Sequence, residues 1–439
     1  MHQTIAAVLP VQQSERITLL DSLRGFAILG ILLMNIPFFA LPVNVALDPS
    51  VYNEYGTVNY YVWYVVEWFF SGTQRALFSM LFGAGIILFI SRKENSIPGL
   101  KPADYFFRRQ LWLMVFSLFD VFILLWFGDI LFDYACLGMI MFAFRNLSPR
   151  KLLIGAMLCL LFMTLRDNRN LYLRKETIHR GEIAAAIDTT KTKLSFEQRD
   201  ALEGMNQIKD RVKKENKIKA AEKDTRQNLG SYRQLYERRT AEYLNSLVDY
   251  LFLSAWDVLL FMFLGMALFK MGILTGEAST KVYWWLFVGG LGLGLFLSYL
   301  YFGRVIHYQG NRYEYVKNIW FDYYQLHRAL RSIGLFGLIM LLYKSGVFKW
   351  LFSLMRPVGQ MAFTNYLLQS LLCGIVFYGI GFGLFNQLPR HQIYYVVGAV
   401  WLFEIILSHV WLRFFHYGPF EWAWRSLTYW KRQPFKKNI

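Results

Sequence analysis

The stretch LDSLRGFAILGILLMNI (residues 20–36) decides the fold class, because almost every residue in it is apolar or small. An α-helix rises 1.5 Å per residue, so about 20 such residues cross the roughly 30 Å hydrocarbon core of a bilayer. Apolar residues continue on both sides of the stretch. It therefore predicts a transmembrane helix over residues 18–41.

Further apolar runs of similar length follow along the chain. Apolar residues make up 55% of the 439 residues and aromatic residues 18%, an excess that suits a chain with two membrane interfaces. Together the runs predict an all-α polytopic membrane bundle of about ten transmembrane helices. The other predicted spans are residues 74–91, 110–127, 130–145, 151–165, 247–270, 281–302, 327–343, 357–381 and 393–416.

Basic residues in the short loops give the orientation of this bundle, because cytoplasmic loops carry an excess of Lys and Arg. With both termini in the cytoplasm, the inner loops hold most of these residues and the outer segment 42–73 holds none. The same count makes VNYYVWYVVEWFFSG (58–72) an interfacial or re-entrant helix on the outer face. The predicted inner residues are Arg92, Lys93, Lys101, Arg108, Arg109, Arg145, Arg150, Lys151, Lys270, Lys281, Lys344, Lys349 and Arg356, and the tail is also basic.

Residues 166–246 differ from the rest because charged residues and Gln dominate them. Opposite charges recur at helical spacing, as in Glu215 with Lys219, which predicts exposed helices. Long loops cross a membrane largely regardless of charge, so we expect an extracytoplasmic insertion. It is either a solvated excursion or a cap over the outer mouth of a membrane cavity. The predicted domains are a five-span half over 1–165, the insertion over 166–246, and a five-span half with a basic cytoplasmic tail over 247–439.

Composition also limits the classes of function. The formal net charge is +17, but the basic residues lie in short loops and in the insertion, which does not favour nucleic-acid binding. Cys136, Cys159 and Cys373 all lie in apolar runs and lack the spacing of a metal site or a disulfide framework. We therefore expect no metal. The expected partners are the lipid bilayer and anionic lipid headgroups at the cytoplasmic face, and a homo-oligomer is left open.

Charged side chains inside apolar runs are informative, because a charge at mid-bilayer costs about 2.5–3.5 kcal/mol unless it faces protein or a wet cavity. Asp21 and Arg24 lie three residues apart on one helical face, which predicts a structural ion pair. Arg75 lies at the outer end of a span and could hold an anionic part of a substrate. Asp257 lies several residues into a span and needs a basic partner.

Two residues are candidates for proton transfer. Asp129 follows Gly128 in a tight outer turn of LLWFGDILFDYACLG (124–138), where a carboxylate could act as a general base or cap the next helix. His327 lies at the outer start of a span in DYYQLHRALRSIG (322–334). It is the histidine best placed for proton chemistry, and a structural or interfacial role is the alternative.

Other polar residues indicate where a substrate would bind. Arg328 and Arg331 lie on the outer side and are, with Arg75, candidate partners for Asp257. In RPVGQMAFTNYLLQSLL (356–372), polar residues form a stripe that either makes hydrogen bonds between helices or lines a substrate cavity. The predicted substrate-binding residues are Arg75, Asp257, Arg328, Arg331, Asn365 and Gln369.

Several segments together resemble the YeiB-like family of bacterial inner-membrane proteins, whose C-terminal half is a domain of unknown function. The segments are LDSLRGFAILGILLMNI, ALFSMLFGAG, WFGDILFDYACLG, GSYRQLYERR, VGQMAFTNYLLQS and GPFEWAWRSLTYWKRQP. The resemblance covers nearly the whole chain outside residues 175–228 and implies a multi-pass protein of the bacterial inner membrane. The early LRG block is shared with transmembrane acyltransferases, which include lysosomal heparan-α-glucosaminide N-acetyltransferase.

This looser resemblance implies a function. Those enzymes pass an acyl group from a cytosolic coenzyme A donor to an acceptor across the membrane, and they use a histidine. In the family pattern a His often precedes the W-x-G-D-I-L block, but here Asp120 is the nearest titratable residue, which leaves His327 or Asp129 as substitutes. The implied function is a transmembrane acyltransferase with acyl-CoA as its donor. A transporter for a small anionic solute and a non-catalytic membrane scaffold or sensor are the alternatives.

Overall fold

The computed structural model describes residues 17–94, 99–191 and 193–437. The regular elements of these residues are helices, so the predicted all-α class is confirmed. A 3₁₀ turn, Phe142–Phe144, follows α6, and a π-helical segment, Leu286–Gly292, joins α11 to α12. The helices are α1 (Thr18–Ala40), α2 (Val43–Leu47), α3 (Val58–Phe70), α4 (Thr73–Glu94), α5 (Lys101–Phe122), α6 (Leu131–Met141), α7 (Pro149–Ala185), α8 (Phe196–Val212), α9 (Lys214–Asn228), α10 (Tyr232–Lys270), α11 (Thr280–Trp285), α12 (Leu293–His307), α13 (Arg312–Asn318), α14 (Tyr324–Ser345), α15 (Lys349–Gln360), α16 (Ala362–Phe377), α17 (Arg390–Phe414) and α18 (Pro419–Tyr429).

Several helices are long and apolar enough to cross a membrane, which makes this a helical membrane protein. Among the described residues, 5 stretches are long and apolar enough to span a membrane. The bent pair α15–α16 also qualifies if its two helices are taken together as one span. The other predicted spans also coincide with helices, but with shorter or more polar ones, so the count of ten stays a prediction. The 5 stretches are Thr18–Ala40, Val58–Glu94, Thr280–His307, Tyr324–Ser345 and Arg390–Phe414.

The predicted span 357–381 is broken rather than continuous, which corrects the sequence-based prediction. α15 ends at Gln360, and α16 leaves it at an angle of 77°. Pro357 does not cause the break, because α15 runs through it. The bend instead exposes the first backbone N–H groups of α16, and these groups donate hydrogen bonds to a carboxylate of α18.

The turn between α5 and α6 lies inside the bundle. α6 and its 3₁₀ turn together rise only about 22 Å, which is less than the thickness of a hydrocarbon core. In this turn Leu125, Trp126 and Asp129 are 0%, 2% and 3% exposed. Asp129 therefore lies in the protein interior and not in a surface turn.

The polar residues 166–246 form the end of α7, all of α8 and α9, and the start of α10. They contact the segment between α1 and α3, where Lys217 Nζ donates to Asp48 Oδ2 at 2.7 Å. They also contact the segment after α16, where the N–H of Gly379 donates to Asn228 O at 3.0 Å. The first segment is a predicted outer loop and the second leads into one, and we call this end of the bundle the insertion end.

A charged contact ties α13 to α7 at the insertion end. Glu182 Oε1 accepts hydrogen bonds from Lys317 Nζ at 2.6 Å and from Tyr313 Oη at 2.7 Å. The bond from Lys317, followed by that from Tyr313, lowers the pKa of Glu182, so this carboxylate stays ionised at neutral pH. Burial and the bond to Glu182 raise the pKa of Tyr313 to about 12.

α1 and α15 cross with a glycine on each helix at the contact. A Cβ atom on Gly359 would lie 1.7 Å from Asp21 O, and one on Gly25 would lie 2.2 Å from Met355 O. Small residues permit such close approach, which is a usual way for membrane helices to pack. This crossing holds Asp21 and Arg24 of α1 beside the start of α16.

Replacing Gly359 with alanine should destabilise the protein by about 1–3 kcal/mol, because the added methyl group overlaps the backbone of α1 and the helices must separate. Gly398 in α17 is the matched control, since a Cβ atom there meets no atom within 4 Å. Unfolding of both purified variants in a titration with a denaturing detergent measures the difference. Unchanged stability of Gly359→Ala would contradict the close crossing.

Candidate functional site

A cavity of about 260 Å³ lies between α1, α4, α5, α16 and α18, at the end of the bundle opposite the insertion. Four half-buried arginines from different parts of the chain surround its mouth, and we call this end the basic end. Its walls are mostly aromatic and aliphatic, with Phe82, Phe89 and Phe363 among them. The four arginines are Arg24, Arg92, Arg109 and Arg425.

Neighbouring side chains hold the arginines at the mouth in place. The Arg109 guanidinium lies 3.5 Å from the centre of the Trp424 ring. Arg24 donates to Asp21 Oδ1 at 3.0 Å, so the structure brings together the two residues of the predicted ion pair. A guanidinium stacked on a ring keeps in-plane N–H groups that can donate to phosphate or carboxylate oxygens.

Other predicted basic residues of the inner loops do not line this cavity. Arg108 pairs with Asp104 one helical turn before it, and Arg145 Nε lies 3.5 Å from Glu94 Oε1. The adjacent residues Arg108 and Arg109 therefore have different surroundings, although the sequence makes them equivalent.

The tail helix α18 closes one side of the cavity through a helix cap. Glu421 Oε1 accepts the N–H groups of Phe363 at 2.8 Å and Thr364 at 3.0 Å, and its Oε2 accepts Thr364 Oγ1 at 2.5 Å. A carboxylate there satisfies amides that have no partner within α16 and interacts favourably with the helix dipole. Trp424 Nε1 adds a hydrogen bond of 2.8 Å to Arg109 O. The break before α16 thus creates the docking point for α18.

Tyr134 and Tyr366 line the deep end of the cavity. Tyr366 Oη donates to Asp129 Oδ1 at 3.2 Å. The other oxygen of Asp129 accepts from Ser117 Oγ and from the N–H of Phe132, the latter at 3.1 Å. The cavity therefore leads from the arginines to Tyr366, whose hydroxyl group is bonded to Asp129, one of the two predicted catalytic residues.

Asp120 lies beside Asp129 and is fully buried. Its carboxyl group interacts with that of Asp129 and with the Ser370 hydroxyl, but among the described atoms neither of its oxygens has a well-formed hydrogen bond. Two neighbouring buried carboxyl groups are unfavourable when both are ionised, because like charges repel each other. We call Asp120 and Asp129 the carboxyl pair.

A separate cluster contains three of the predicted substrate-binding residues. Asp257 on α10 pairs through one oxygen with Arg75 on α4 and through the other with Arg328 on α14. The Arg328 side chain is 4% exposed and the Asp257 side chain 7%. The structure thus provides the partners that Asp257 requires, and these charges are already engaged with each other.

Arg331 and His327 lie near this cluster, and both have structural contacts. Arg331 donates to the carbonyl oxygens of Glu67, Trp68 and Ser71, so its charge stabilises the C-terminal end of α3. His327 is fully buried, and its Nδ1 lies 2.8 Å from Ser298 Oγ. Among the residues that the structure describes, His327 neither lines the basic-end cavity nor shares a hydrogen-bond partner with Asp129. The structure does not bring the two predicted catalytic residues together.

Asn365 and Gln369 make hydrogen bonds between helices. Asn365 Nδ2 donates to Ser408 Oγ at 3.1 Å, and Gln369 Nε2 donates to Ile28 O and to Glu404 Oε2, both at 3.1 Å. Neither residue lines the basic-end cavity. These contacts favour hydrogen bonding between helices, rather than lining of a substrate cavity, as the role of the polar stripe.

Sequence reasoning missed several residues of these sites. Glu404 is a fully buried carboxyl group within α17, and the rule that singled out Asp257 would have found it. Tyr134 and Tyr366 carried no such signal, because aromatic residues are common throughout membrane helices. Glu421 lies in the tail, where sequence gives no reason to expect a contact with α16.

Together these features define a class, an all-helical membrane protein with a cavity that is basic at its mouth and ends near a buried carboxyl pair. Residues 268–431 match a family model described as a protein of unknown function, DUF418. The chain is 27% identical to the uncharacterized protein YxaH of Bacillus subtilis (strain 168) over 99% of both chains. It is 28% identical to the uncharacterized protein YeiB of Escherichia coli (strain K12) over 94% of this chain and 96% of that protein. These matches confirm the resemblance to the YeiB-like family, and no solved structure matches the chain.

Proposed function

We propose that this protein is a transmembrane acyltransferase, which takes an acyl group from a cytosolic coenzyme A thioester and transfers it to an extracytoplasmic or membrane acceptor. One observation carries the proposal. A single cavity joins four arginines at its mouth to Tyr366 at its deep end, and Tyr366 is bonded to Asp129 in the bundle interior.

The proposal includes a ten-span topology in the bacterial inner membrane with both termini in the cytoplasm. The positive-inside rule supports this orientation, because it assigns the basic end to the cytoplasm, where coenzyme A is present. The insertion end then faces the extracytoplasmic side. The carboxyl pair lies between the two ends, where an acyl donor and an acceptor from opposite sides could meet.

The mouth of the cavity suits the phosphate groups of coenzyme A. Arginine donates to phosphate oxygens through parallel N–H groups, and Arg109 is oriented by the rings of Trp424 and Phe89, with the Phe89 centroid at 5.6 Å. The apolar walls accept the acyl arm. A thioester that reaches the deep end lies beside Tyr366.

In the transfer step, a hydroxyl or amine of the acceptor attacks the carbonyl carbon of the thioester. The carboxyl pair takes the proton of the acceptor as the new O–C or N–C bond forms and the C–S bond breaks. The coenzyme A thiolate then leaves and takes that proton from the pair. Tyr366 Oη donates its one proton to Asp129 before the reaction, and in the transfer step this proton turns to the carbonyl oxygen as that oxygen gains negative charge.

Replacing Arg109 with glutamine should weaken acyl-CoA binding by about tenfold, because it removes a charge-assisted bond to a phosphate group. Arg108→Gln is the matched control, since it removes the same charge from the adjacent residue, which pairs with Asp104 outside the cavity. Calorimetry on purified protein with acetyl-, hexanoyl- and decanoyl-CoA measures the affinities. The proposal fails if the wild type gives no heat and no thermal shift with any of the three, or if both variants bind equally well.

A transporter for a small anionic solute is the second candidate. It is favoured by a second cavity, of about 190 Å³, at the insertion end, since a transporter needs a site reachable from each side. Uptake into liposomes under a proton gradient distinguishes the two functions. An acyltransferase should show no uptake, whereas a transporter should accumulate the solute without consuming acyl-CoA.

A further inference from the structure

The second cavity lies between the helices of the insertion and the bundle. Its floor is apolar and includes Phe38, Phe127 and Phe385. Its polar side comes from the insertion, where Arg238 and Arg239 at the start of α10 line it together with Asp224, Asn228 and Glu242. An apolar floor with a few converging polar groups is typical of a small-molecule site.

Arg239 is a buried cation in this cavity with few partners. It is 4% exposed, its Nη2 donates to Asn228 Oδ1 at 2.6 Å, and its guanidinium lies 4.4 Å from the centre of the Phe127 ring. Its Nε has no hydrogen-bond partner, and among the described side chains no carboxylate pairs with Arg239. Burying a charge without a counter-charge is unfavourable, so the cavity suits an anion.

Arg238 engages the acidic residues nearby. It pairs with Asp224 Oδ1 at 2.5 Å and with Glu242 Oε1 at 2.8 Å. Among the described atoms its Nη1 has no hydrogen-bond partner, but this nitrogen is fully buried and does not face the cavity. The two carboxylates that line the cavity are therefore paired with Arg238 and not with Arg239.

Arg390 shows how a buried arginine with a structural role differs. It lies at the same end of the bundle, and its Nε donates to Glu54 Oε2 at 2.7 Å. Its two terminal nitrogens donate to Ala46 O at 3.0 Å and Val45 O at 2.5 Å. All three nitrogens of Arg390 are therefore used, in contrast to those of Arg239.

We propose that Arg239 binds an oxyanion group, a phosphate or a carboxylate, that belongs to the acyl acceptor. This inference rests on the proposed function, because it assigns the insertion-end cavity to the acceptor of that reaction. Phe127 lies beneath the Arg239 guanidinium, and Asp129 of the carboxyl pair follows two residues later in the same buried turn. An acceptor anchored at Arg239 would thus be held against the turn that carries Asp129.

Binding of inorganic phosphate and of acetate to the purified full-length protein tests this site. We expect saturable binding of at least one anion at constant ionic strength, and a loss of about tenfold or more in Arg239→Gln. Arg233→Gln is the matched control, because Arg233 lies on the same helix with its side chain 88% exposed. Because the basic end also binds anions, every titration is repeated in an Arg109→Gln background.

The outcomes separate this site from the proposed function. Anion binding that depends on Arg239, without any acyl-CoA binding, leaves the anion site standing and removes the transfer reaction. Equal binding by wild type, Arg239→Gln and Arg239→Lys, or no binding by the wild type, overturns the anion site. If Arg239→Gln does not fold, Arg239→Lys decides, since it keeps the charge but loses the planar guanidinium. If phosphatidylglycerol in nanodiscs competes with the anion, the anion at this site belongs to a lipid headgroup. If it does not compete, the acceptor is a soluble molecule.

Discussion

Asp257→Asn should destabilise the protein by about 3–5 kcal/mol, because it removes the carboxylate that pairs with the buried Arg328 guanidinium. Asp257 joins α10 to α4 and α14 through Arg75 and Arg328. The three helices belong to both halves of the chain, so we expect the loss to affect the whole bundle. Unfolding of the purified protein in a denaturing detergent measures the change.

The burial of each arginine determines how this variant can be rescued. The Arg75 side chain is 30% exposed and can regain water or headgroup contacts, whereas that of Arg328 is 4% exposed. The double variant Asp257→Leu with Arg328→Met should therefore recover most of the stability, because a buried ion pair can often be exchanged for apolar residues. Asp104→Asn is the control, since its partner Arg108 lies near the surface and we expect a loss below about 1 kcal/mol.

Wild-type stability of Asp257→Asn would show that the triad is not structural. The predicted substrate-binding roles of Asp257, Arg75 and Arg328 would then regain support, because charges that do not stabilise the fold need another purpose. A large loss with rescue by the apolar pair would instead explain these intramembrane charges without any substrate.

Apolar runs predicted the helices well because membrane helices satisfy their own backbone groups and are recognisable from length alone. The break at Met361 was not predictable in this way. It depends on the crossing of Gly359 with α1 and on Glu421, which comes from a helix far along the chain. Such a break results from packing between separate segments. It therefore cannot be predicted from one hydrophobic run alone.

The site was only partly predictable for a related reason. The sequence drew attention to Asp129 as a carboxylate in a turn and to Asp257 as a charge within a span, but it could not show that one is bonded to a residue of a cavity and the other belongs to an ion triad. Arg108 and Arg109 have the same chemistry and adjacent positions, and only the rotation of α5 places one of them in the cavity. Arg239 lies in a highly charged segment, where the sequence does not show that it is buried.

Asp129→Asn should reduce acyl transfer by about 10²–10⁴-fold while leaving acyl-CoA binding unchanged, because an amide cannot accept the proton of the acceptor. Asparagine has nearly the same shape as aspartate, and its one oxygen can still accept from the N–H of Phe132 while its NH2 group donates to Tyr366 Oη. Transfer is measured with radiolabelled acetyl-CoA and membranes as the source of the acceptor. Calorimetry with acetyl-CoA checks that the variant keeps its donor site.

Glu404→Gln is the control for this prediction, because Glu404 is also a fully buried carboxyl group but does not line the cavity. It should transfer the label at the wild-type rate.

His327→Gln provides a second comparison, since the resemblance to transmembrane acyltransferases also made His327 a candidate base. Full activity of Asp129→Asn together with loss in His327→Gln would move the proton-transfer role to the cluster around Ser298, and the basic-end cavity would then require another explanation. Loss of acyl transfer in Asp129→Asn alone would locate the reaction where the arginine-lined cavity meets the carboxyl pair. A donor from one end of the bundle and an acceptor from the other could then react there without either of them crossing the bundle.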